Sequence, residues 1–193
     1  MSNQQKIGIY SGTFDPVHVG HVAFALQAAK ILQLKGVYFL PEPQPREKNN
    51  ITPLPQRVEM LQLALDQHQQ LHVLAPPDQQ FTVAHTLPYI RQQFVGYDLV
   101  YLCGSDVVRT FTYRWEGLAD LLATTELVVG LRGGDTAADV RKIIESVSSV
   151  TTYHTLRTHK HHLASTDVRS GHHKIKDVHP AVAAYILQHR LYS

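Results

Sequence analysis

Short apolar runs rich in Val, Ile, Leu and Tyr recur along the 193-residue chain, each bounded by Gly, Pro or polar residues. Runs of this length and composition are typical of buried strands and are too short for most helices. They are IGIY near residue 7, VYFLP near 37, LHVLAP near 71, LVYLCG near 99, ELVVGL near 126 and SVTTYHTL near 148. The pattern therefore predicts six strands.

Segments with the apolar spacing of helices lie between these runs. The predicted helices cover residues 20–34, 55–69, 82–95, 116–123 and 135–146, and VHPAVAAYILQHRLY forms a further one. Alternating strands and helices are typical of a doubly wound α/β fold, in which a mostly parallel sheet carries helices on both faces. Ligands bind to such sheets beyond the carboxyl ends of the strands, where strand order reverses. We expect one domain over residues 1–193.

Composition and charge narrow the class of protein. Hydrophobic residues make up 44% of the chain and charged residues 18%, which is typical of a soluble globular protein. No stretch approaches the roughly 20 apolar residues that span a bilayer, and the first residues lack the pattern of a secretory signal. The formal net charge of +2 gives no broad basic surface. We expect a cytoplasmic protein that binds neither membranes nor nucleic acids.

Residues that often bind metals do not form a metal-site pattern here. The single cysteine, Cys103, excludes an internal disulfide and lies in an apolar run, so we expect a buried structural thiol. Adjacent histidines at 159–162 and 172–173 point in different directions, and no carboxylate or cysteine spacing completes a metal geometry. We interpret them as a solvated basic edge and expect no metal-ligating residues. The RGGD turn at 132–135 is interpreted as structural.

The turn after the first strand, GTFDPVHVGH at residues 12–21, has a composition suited to phosphate. Gly12 lets a ligand approach the backbone, and the Asp-Pro pair is typical of a turn that leads into a helix. A helix that begins near 17–19 would present unpaired N–H groups and partial positive charge to an anion. His18 and His21 would lie on one face of its first turn. An ordinary turn with two surface histidines is the alternative.

This segment resembles the H-x-G-H signature of nucleotidyltransferases, in the GTFDPxHxGH form of bacterial nicotinate-nucleotide adenylyltransferases. The resemblance implies a Rossmann-like nucleotidyltransferase fold in which His18 and His21 contact the phosphates of ATP and are catalytic. It also implies that Gly12, Thr13 and Phe14 belong to the ATP-binding loop. The segments QRVEMLQLAL, ELVVGLRGG and HRLY are similar to further parts of the family, so the resemblance spans nearly the whole chain.

A second candidate phosphate motif is LASTDVRSG at residues 163–171. Ser165 or Thr166 would make a good helix N-cap, and Arg169 in the first turn would oppose the helix dipole unless an anion bound there. The segment resembles the family's I-S-S-T-x-I-R motif, with Ala164 in place of the first serine. The resemblance implies that Ser165, Thr166 and Arg169 hold the β and γ phosphates of ATP and that Arg169 is catalytic. Ordinary capping with a solvated arginine is the alternative.

Two further segments resemble parts of the family's acceptor site. YLCGSDVV is similar to a G-x-D strand end, which implies that Gly104 and Asp106 lie near the substrate sugar. Asp106 could instead cap the following helix. The proline-rich stretch at 41–55 is predicted to be a flexible substrate loop. Within it PEPQPREK replaces the family's P-T-x-x-P-P-H-K but keeps Lys48, either a phosphate contact or an exposed basic residue.

The segment that binds the pyridine in the family is altered in this chain. QFTVAHTL resembles S-Y-T-x-x-T-L but has one extra residue between Thr82 and Thr86, which turns one of them by about 100° around a helix. Trp115 resembles the tryptophan that stacks on the pyridine, although it lies one place later than usual. Tyr113 could substitute for it, and core packing is the alternative for either aromatic residue.

The resemblance implies adenylyl transfer from ATP to nicotinate mononucleotide, giving nicotinate adenine dinucleotide and pyrophosphate in NAD biosynthesis. Mg²⁺ would be bound mainly by ATP and water. The expected partners are ATP and a pyridine mononucleotide, and a homo-oligomer stays open. The alternatives are transfer to nicotinamide mononucleotide or to another phosphate acceptor, such as phosphopantetheine or a sugar phosphate. A catalytically poor adenine-nucleotide sensor is a further alternative, since the acceptor segments are altered.

Overall fold

The computed structural model describes residues 4–45, 49–77, 80–149, 151–160, 162–170 and 177–192. Within these ranges one sheet is formed by β1 (Lys6–Gly12), β2 (Val37–Pro41), β3 (Leu71–Val73), β4 (Asp98–Gly104), β5 (Glu126–Gly130) and β6 (Tyr153–Leu156). Its order is β3-β2-β1-β4-β5-β6, and every pairing is parallel. This is the order of a doubly wound nucleotide-binding sheet, which reverses between β1 and β4. The predicted fold class and the six predicted strands are confirmed.

Helices connect the strands on both faces of the sheet. In the described ranges they are α1 (Val19–Ile31), α2 (Leu54–Leu65), α3 (Val83–Gln93), α4 (Ser105–Thr110), α5 (Leu118–Thr124), α6 (Ala137–Val147), α7 (Ser165–Arg169) and α8 (Pro180–Gln188). A 3-10 helix, Phe111–Tyr113, follows α4. The six helices predicted from spacing correspond to α1, α2, α3, α5, α6 and α8. No helix in the described ranges has the length and apolar character needed to cross a membrane.

The structure differs from the prediction mainly in short elements and at boundaries. α4 and the 3-10 helix were not predicted, because six residues are too few to show a helical period. The stretch 41–55 includes the end of β2 at Pro41 and the start of α2 at Leu54. We call residues 42–53 the β2–α2 loop and residues 13–18 the β1–α1 loop. That the first of these is flexible stays a prediction.

Alternate side chains of the central strands pack into two apolar layers, one on each face of the sheet. On β4, Leu102 belongs to the layer that contains Phe24 of α1 and Met60 of α2. Cys103 belongs to the opposite layer, with Leu87 of α3. This alternation follows from the two-residue period of a strand. Cys103 is fully buried, as predicted, and burial raises the pKa of its thiol.

Gly8 in β1 lies in close contact with the layer that contains Leu102. A Cβ added there would come within 3.0 Å of Leu102 Cδ1 and of Leu34 Cδ1, and within 3.1 Å of Val37 Cγ2. All three neighbours are themselves buried in the core, so they have little room to move. Because Gly8 has no side chain, these three residues can pack directly against β1, the strand that leads into the β1–α1 loop.

We predict that Gly8→Ala lowers the free energy of unfolding by about 1–3 kcal/mol, because the added methyl overpacks this layer. Urea unfolding followed by circular dichroism measures the change. Gly134→Ala is the matched control, since nothing lies within 4 Å of an added Cβ at Gly134. Its effect should stay within about 0.5 kcal/mol. Equal effects of the two substitutions would contradict the packing argument.

Candidate active site

Two histidines cap the helix that follows β1. His18 is the N-cap of α1, and its Nδ1 accepts a hydrogen bond of 3.1 Å from the backbone N–H of Gly20. In return, the N–H of His18 donates to Nδ1 of His21 over 3.1 Å. The two rings are stacked, with centroids 3.6 Å apart. The pair forms a capping box, an arrangement that usually joins Ser or Thr to Glu or Gln.

The prediction that both histidines share one face is confirmed, but the prediction of open amides is wrong for two groups. The N–H groups of His18 and Gly20 are occupied by the imidazoles themselves. The sequence did not reveal this, because histidine is not a common capping residue. The capping box changes what α1 offers to an anion, since imidazole N–H groups replace two backbone N–H groups as donors.

The capping box also fixes where each imidazole carries its proton. A neutral imidazole that accepts through Nδ1 has its hydrogen on Nε2, so both histidines present Nε2–H. His18 Nε2 is buried and has no hydrogen-bond partner in the described part of the chain. Burial, and next the charge of Arg132, lower the pKa of His18 to about 3. His18 is thus a neutral donor at physiological pH, and a ligand oxygen would satisfy it.

An open cleft of about 340 Å³ lies beside these histidines at the carboxyl edge of the sheet. His18 and His21 line one side, while Gly104 at the end of β4 and Arg132 after β5 line the other. The cleft therefore lies at the β1–β4 switch point, where the fold predicts ligand binding. We call it the first cleft.

Arg132 was missed as a candidate site residue, because the RGGD turn was interpreted as structural. Its Nε lies 3.2 Å from Oδ1 of Asp106, and this ion pair covers Gly104. A Cβ added to Gly104 would clash with the Asp106 carboxylate and lie 2.6 Å from Arg132 Nε. Asp106 makes no side-chain hydrogen bond that caps α4, so the capping alternative is wrong. The sequence signal for Arg132 was the likeness of ELVVGLRGG to the family's strand running into R-P-G.

The rest of the RGGD turn has the expected structural role. Asp135 accepts hydrogen bonds from Ser105 Oγ at 2.5 Å and from Arg109. Ser105 Oγ in turn accepts from the N–H of Arg132 at 3.0 Å. The turn is thereby fastened to the start of α4, which fixes the backbone from which Arg132 enters the first cleft.

Helix α7 is fastened to the β1–α1 loop. Ser165 Oγ donates to the carbonyl of Pro16 at 2.9 Å, and Arg169 Nη1 donates to the carbonyl of Asp15 at 2.6 Å. Arg169 Nη2 also donates to Thr166 Oγ1 at 3.2 Å. The structure thus brings the second phosphate motif next to the first, although the two are far apart in sequence.

Two predictions about α7 are wrong. Its N-cap is Ala164, with no side-chain capping bond, and not Ser165 or Thr166. Arg169 is the last residue of this five-residue helix, where a cation is favourable to the dipole and not opposed to it. The sequence could not show how soon the helix ends. The hydroxyl that looked like a cap is used instead on the β1–α1 loop.

The first residues of the β1–α1 loop and the glycine before it support the site by packing and by backbone hydrogen bonds. Phe14 is buried, has a positive φ of 50°, and packs edge-on against His21 with ring centroids 5.2 Å apart. Gly12 leaves room for that ring, since an added Cβ would lie 3.0 Å from Phe14 Cζ. The carbonyl of Thr13 accepts from Arg57 Nη1 at 2.7 Å. The ring of Phe14 therefore supports the ring of His21 by packing against it.

A second cleft of about 200 Å³ lies between β1, the β2–α2 loop and α3. Ser11, Glu42, Phe81 and Thr86 are among its lining residues. Thr86 Oγ1 accepts from the N–H of Thr82 at 3.0 Å, so the two predicted threonines adjoin at the start of α3. Thr82 Oγ1 is buried without a partner in the described ranges.

Among the described residues, Gly104, Asp106 and Trp115 do not line this cleft. Trp115 packs edge-to-face on Phe111 at 5.1 Å and lines neither cleft, which supports the core-packing alternative. Tyr113 is largely exposed. Lys48 lies outside the described residues, as do His161 and the histidines at 172–173. Gly104 and Asp106 lie by the first cleft, whereas Thr82 and Thr86 lie by the second.

Comparison with known proteins agrees with this geometry. The family model described as Cytidylyltransferase-like matches residues 9–171, which run from β1 past α7. The chain belongs to the cytidylyltransferase-like family. The matched span contains the GTFDPVHVGH turn and the α7 motif, and both clefts lie within or next to it. The features described above are therefore those of a nucleotidyltransferase.

Relatives of this cytidylyltransferase-like chain carry more specific names. A probable nicotinate-nucleotide adenylyltransferase of Clostridium perfringens is 31% identical over 144 residues, 72% of this chain and 70% of that protein. One of Neisseria meningitidis is 29% identical over 200 residues, 97% of this chain and 98% of that protein. The structure of Plasmodium falciparum nicotinic acid mononucleotide adenylyltransferase complexed with NaAD superimposes with a TM-score of 0.79. It is 16% identical and covers 97% of both chains, which shows the shared fold.

The low pKa of His18 predicts a pH-dependent stability. Between the unfolded pKa of 6.5 and the folded value of about 3, the unfolded chain binds the additional proton, so stability falls as pH falls through this range. From pH 7 to pH 5 this one group should remove up to about 2 kcal/mol.

His18→Asn keeps an oxygen acceptor for the cap but does not titrate. In urea unfolding, its free energy of unfolding should therefore fall less between pH 7 and pH 5 than that of the wild type. Parallel pH profiles for the two proteins would contradict a neutral buried His18.

Proposed function

We propose that this chain transfers the adenylyl group of ATP to nicotinate mononucleotide and releases pyrophosphate. The observation that carries the proposal is the buried Nε2 of His18, which has no hydrogen-bond partner in the described part of the chain and lies beside His21 in the capping box. Membership of a nucleotidyltransferase family supports the reaction type, and the names of the relatives support the pyridine substrate.

The reaction needs little proton chemistry from the protein. The 5′-phosphate of the acceptor is mostly ionised at pH 7, because its second pKa is about 6, so it attacks the α-phosphorus of ATP without a general base. Charge then moves to the leaving pyrophosphate. His18 and His21 would stabilise that charge by donating from Nε2 to the α and bridging oxygens. Because its pKa is low, His18 is neutral at physiological pH. It therefore acts as a hydrogen-bond donor and not as a general acid.

We assign the β and γ phosphates to the residues of α7. Arg169 uses two nitrogens on Asp15 and Thr166, and a guanidinium has five N–H donors, so donors remain for phosphate. Thr166 lies in the same turn, and Ser165, whose hydroxyl donates to the Pro16 carbonyl, holds this turn beside the β1–α1 loop. Gly12, Thr13 and Phe14 complete the loop between the two motifs. Arg132, which lines the first cleft together with His18, adds positive charge there.

Magnesium enters the proposal as a complex with ATP. In the described ranges no group of three or more His, Cys, Asp or Glu side chains could hold a metal ion. Asp15 and Asp106 are engaged by Tyr192 and Arg132 respectively. The residues therefore fit a metal held by phosphate oxygens and water, which is how Mg²⁺ usually accompanies nucleotides. Bound in that way it would neutralise phosphate charge.

The acceptor is assigned to the second cleft, with Thr82 and Thr86 at its edge. Lys48, Gly104, Asp106 and Trp115 stay proposals for this role. One observation favours nicotinamide mononucleotide as a second candidate. The Glu42 carboxylate lines the second cleft and would repel a carboxylate on the pyridine ring.

The first experiment supplies MgATP with nicotinate or nicotinamide mononucleotide and follows dinucleotide and pyrophosphate by mass spectrometry. We predict nicotinate adenine dinucleotide as the main product. The control is His18→Asn, which keeps the cap of α1 but lacks the Nε2–H donor, and its kcat should fall by about 10²–10³ with the fold intact. ATP binding without dinucleotide from either acceptor would contradict the proposal, and an unchanged rate in His18→Asn would remove His18 from it.

A further prediction concerns Arg169. Arg169→Ala should weaken ATP binding and turnover, because it removes charge from the phosphate site, while binding of the mononucleotide stays nearly unchanged. Calorimetry with each substrate separately measures this. Arg141→Ala, which removes an exposed arginine of α6, is the matched control and should change neither affinity. Equal losses for both substrates in Arg169→Ala would refute the assignment.

A further inference from the structure

A buried carboxylate joins three distant parts of the chain. Asp15, in the β1–α1 loop, is 1% exposed. Its Oδ1 accepts from the hydroxyl of Tyr192 at 2.6 Å, and its Oδ2 accepts from the N–H of Thr52 at 3.2 Å. Thr52 Oγ1 also donates to the Tyr192 hydroxyl at 3.2 Å. The three residues form a closed set of hydrogen bonds, which we call the Asp15 triangle.

The Asp15 triangle lies between the two loops that face the clefts. Thr52 belongs to the β2–α2 loop, and Asp15 lies three residues before His18. The backbone carbonyl of Asp15 is the group that accepts from Arg169. Movement at Asp15 would therefore shift both candidate phosphate motifs relative to the loop beside the second cleft.

Arg57 of α2 fastens the same two loops from the other side. Its side chain is fully buried. Its Nε donates to the carbonyl of Thr52 at 2.7 Å, and its Nη1 donates to those of Thr13 at 2.7 Å and Glu42 at 2.9 Å. These bonds hold the loop backbones but leave the Asp15 carboxylate to Tyr192 and the Thr52 amide. The phenol is thus the side chain that fixes the direction of the carboxylate.

The phenol of Tyr192 keeps its proton, as its hydrogen bond to Asp15 requires. Burial, and next the hydrogen bond to Asp15, raise the pKa of Tyr192, so the phenol stays a donor at all working pH values. A buried carboxylate that loses its donor must move or take up water. Removal of this one hydroxyl would therefore loosen Asp15 and leave the aromatic ring in place.

We propose that Tyr192 is a positioning residue for adenylyl transfer, which holds the β1–α1 loop at the distance from the β2–α2 loop that in-line attack requires. This inference rests on the proposed function. Displacement of reacting groups by about 1 Å can cost 10²-fold in rate, because transfer depends on alignment. The substrates would still bind through the phosphate and acceptor contacts, so kcat should change more than KM.

The test compares Tyr192→Phe with Tyr185→Phe. Tyr185 on α8 donates its hydroxyl to Glu59 Oε2 of α2 at 3.0 Å, so its variant also loses a phenol–carboxylate hydrogen bond, but one between two helices that involves neither loop. We expect kcat of Tyr192→Phe to fall about tenfold with both KM values within threefold. Tyr185→Phe should keep wild-type kcat. Similar kcat values for both variants, or a loss confined to KM, would overturn the positioning role.

A second measurement keeps this inference separable from the proposed function. Amide hydrogen exchange at 13–18 and 49–53 should be faster in Tyr192→Phe than in the wild type and unchanged in Tyr185→Phe. A wild-type protein that makes no dinucleotide would refute the proposed function, and the exchange data would still decide whether Tyr192 holds the loop. If hydrogen exchange were unchanged in both variants, this would overturn the inference that the Asp15 triangle holds the two loops together.

Discussion

The hydrogen bonds of the His18 and His21 Nδ1 atoms to first-turn amides are the constraint on which the site depends. A helix start leaves its first N–H groups without partners inside the helix, and here two of these groups bind the imidazoles. Because each Nδ1 is used in this way, each Nε2 carries a hydrogen. One set of bonds thus satisfies the backbone, stacks the rings and sets the direction of two donors. A donor that is fixed before the substrate arrives loses little free energy in reorganisation.

The buried charges around the site follow from the same need for fixed geometry. Arg57 is fully buried, and the hydrogen bonds described for it all go to backbone carbonyls. An arginine suits this position because its planar fork reaches several carbonyls of two loops at once, which a lysine could not do. Arg132 instead reaches the rim of the first cleft and pairs with the partly exposed Asp106. Arg57 therefore holds the loops, while the positive charge of Arg132 acts in the first cleft and helps to keep His18 neutral.

Much of the fold could be predicted, and so could the position of His18 and His21 on one helix face, because both depend on local sequence. The strands are short apolar runs, and His18 and His21 are three residues apart at the start of a helix. The tertiary contacts could not be predicted. Tyr192 lies far from Asp15 in sequence, and nothing in HRLY indicates a partner. Arg57 has the spacing of an ordinary helix residue, and only the structure shows that its head is enclosed by carbonyls. The cap of α7 was mispredicted because the helix already begins at Ser165, whose hydroxyl donates to the carbonyl of Pro16 and does not accept from a first-turn N–H.

The alternation of side chains along β1 explains how one strand end contributes to two clefts. Tyr10 lines the first cleft, and Ser11, the next residue, lines the second. Successive side chains of a strand point to opposite faces of a sheet, so the two clefts lie on opposite sides of β1. The β1–α1 loop begins where that strand ends and is the backbone common to both clefts. On the proposed function, nucleotides bound in the two clefts would meet with their phosphates at this loop. The direction of attack would then be set by the sheet itself, and Arg57 and the Asp15 triangle would hold the loop in place.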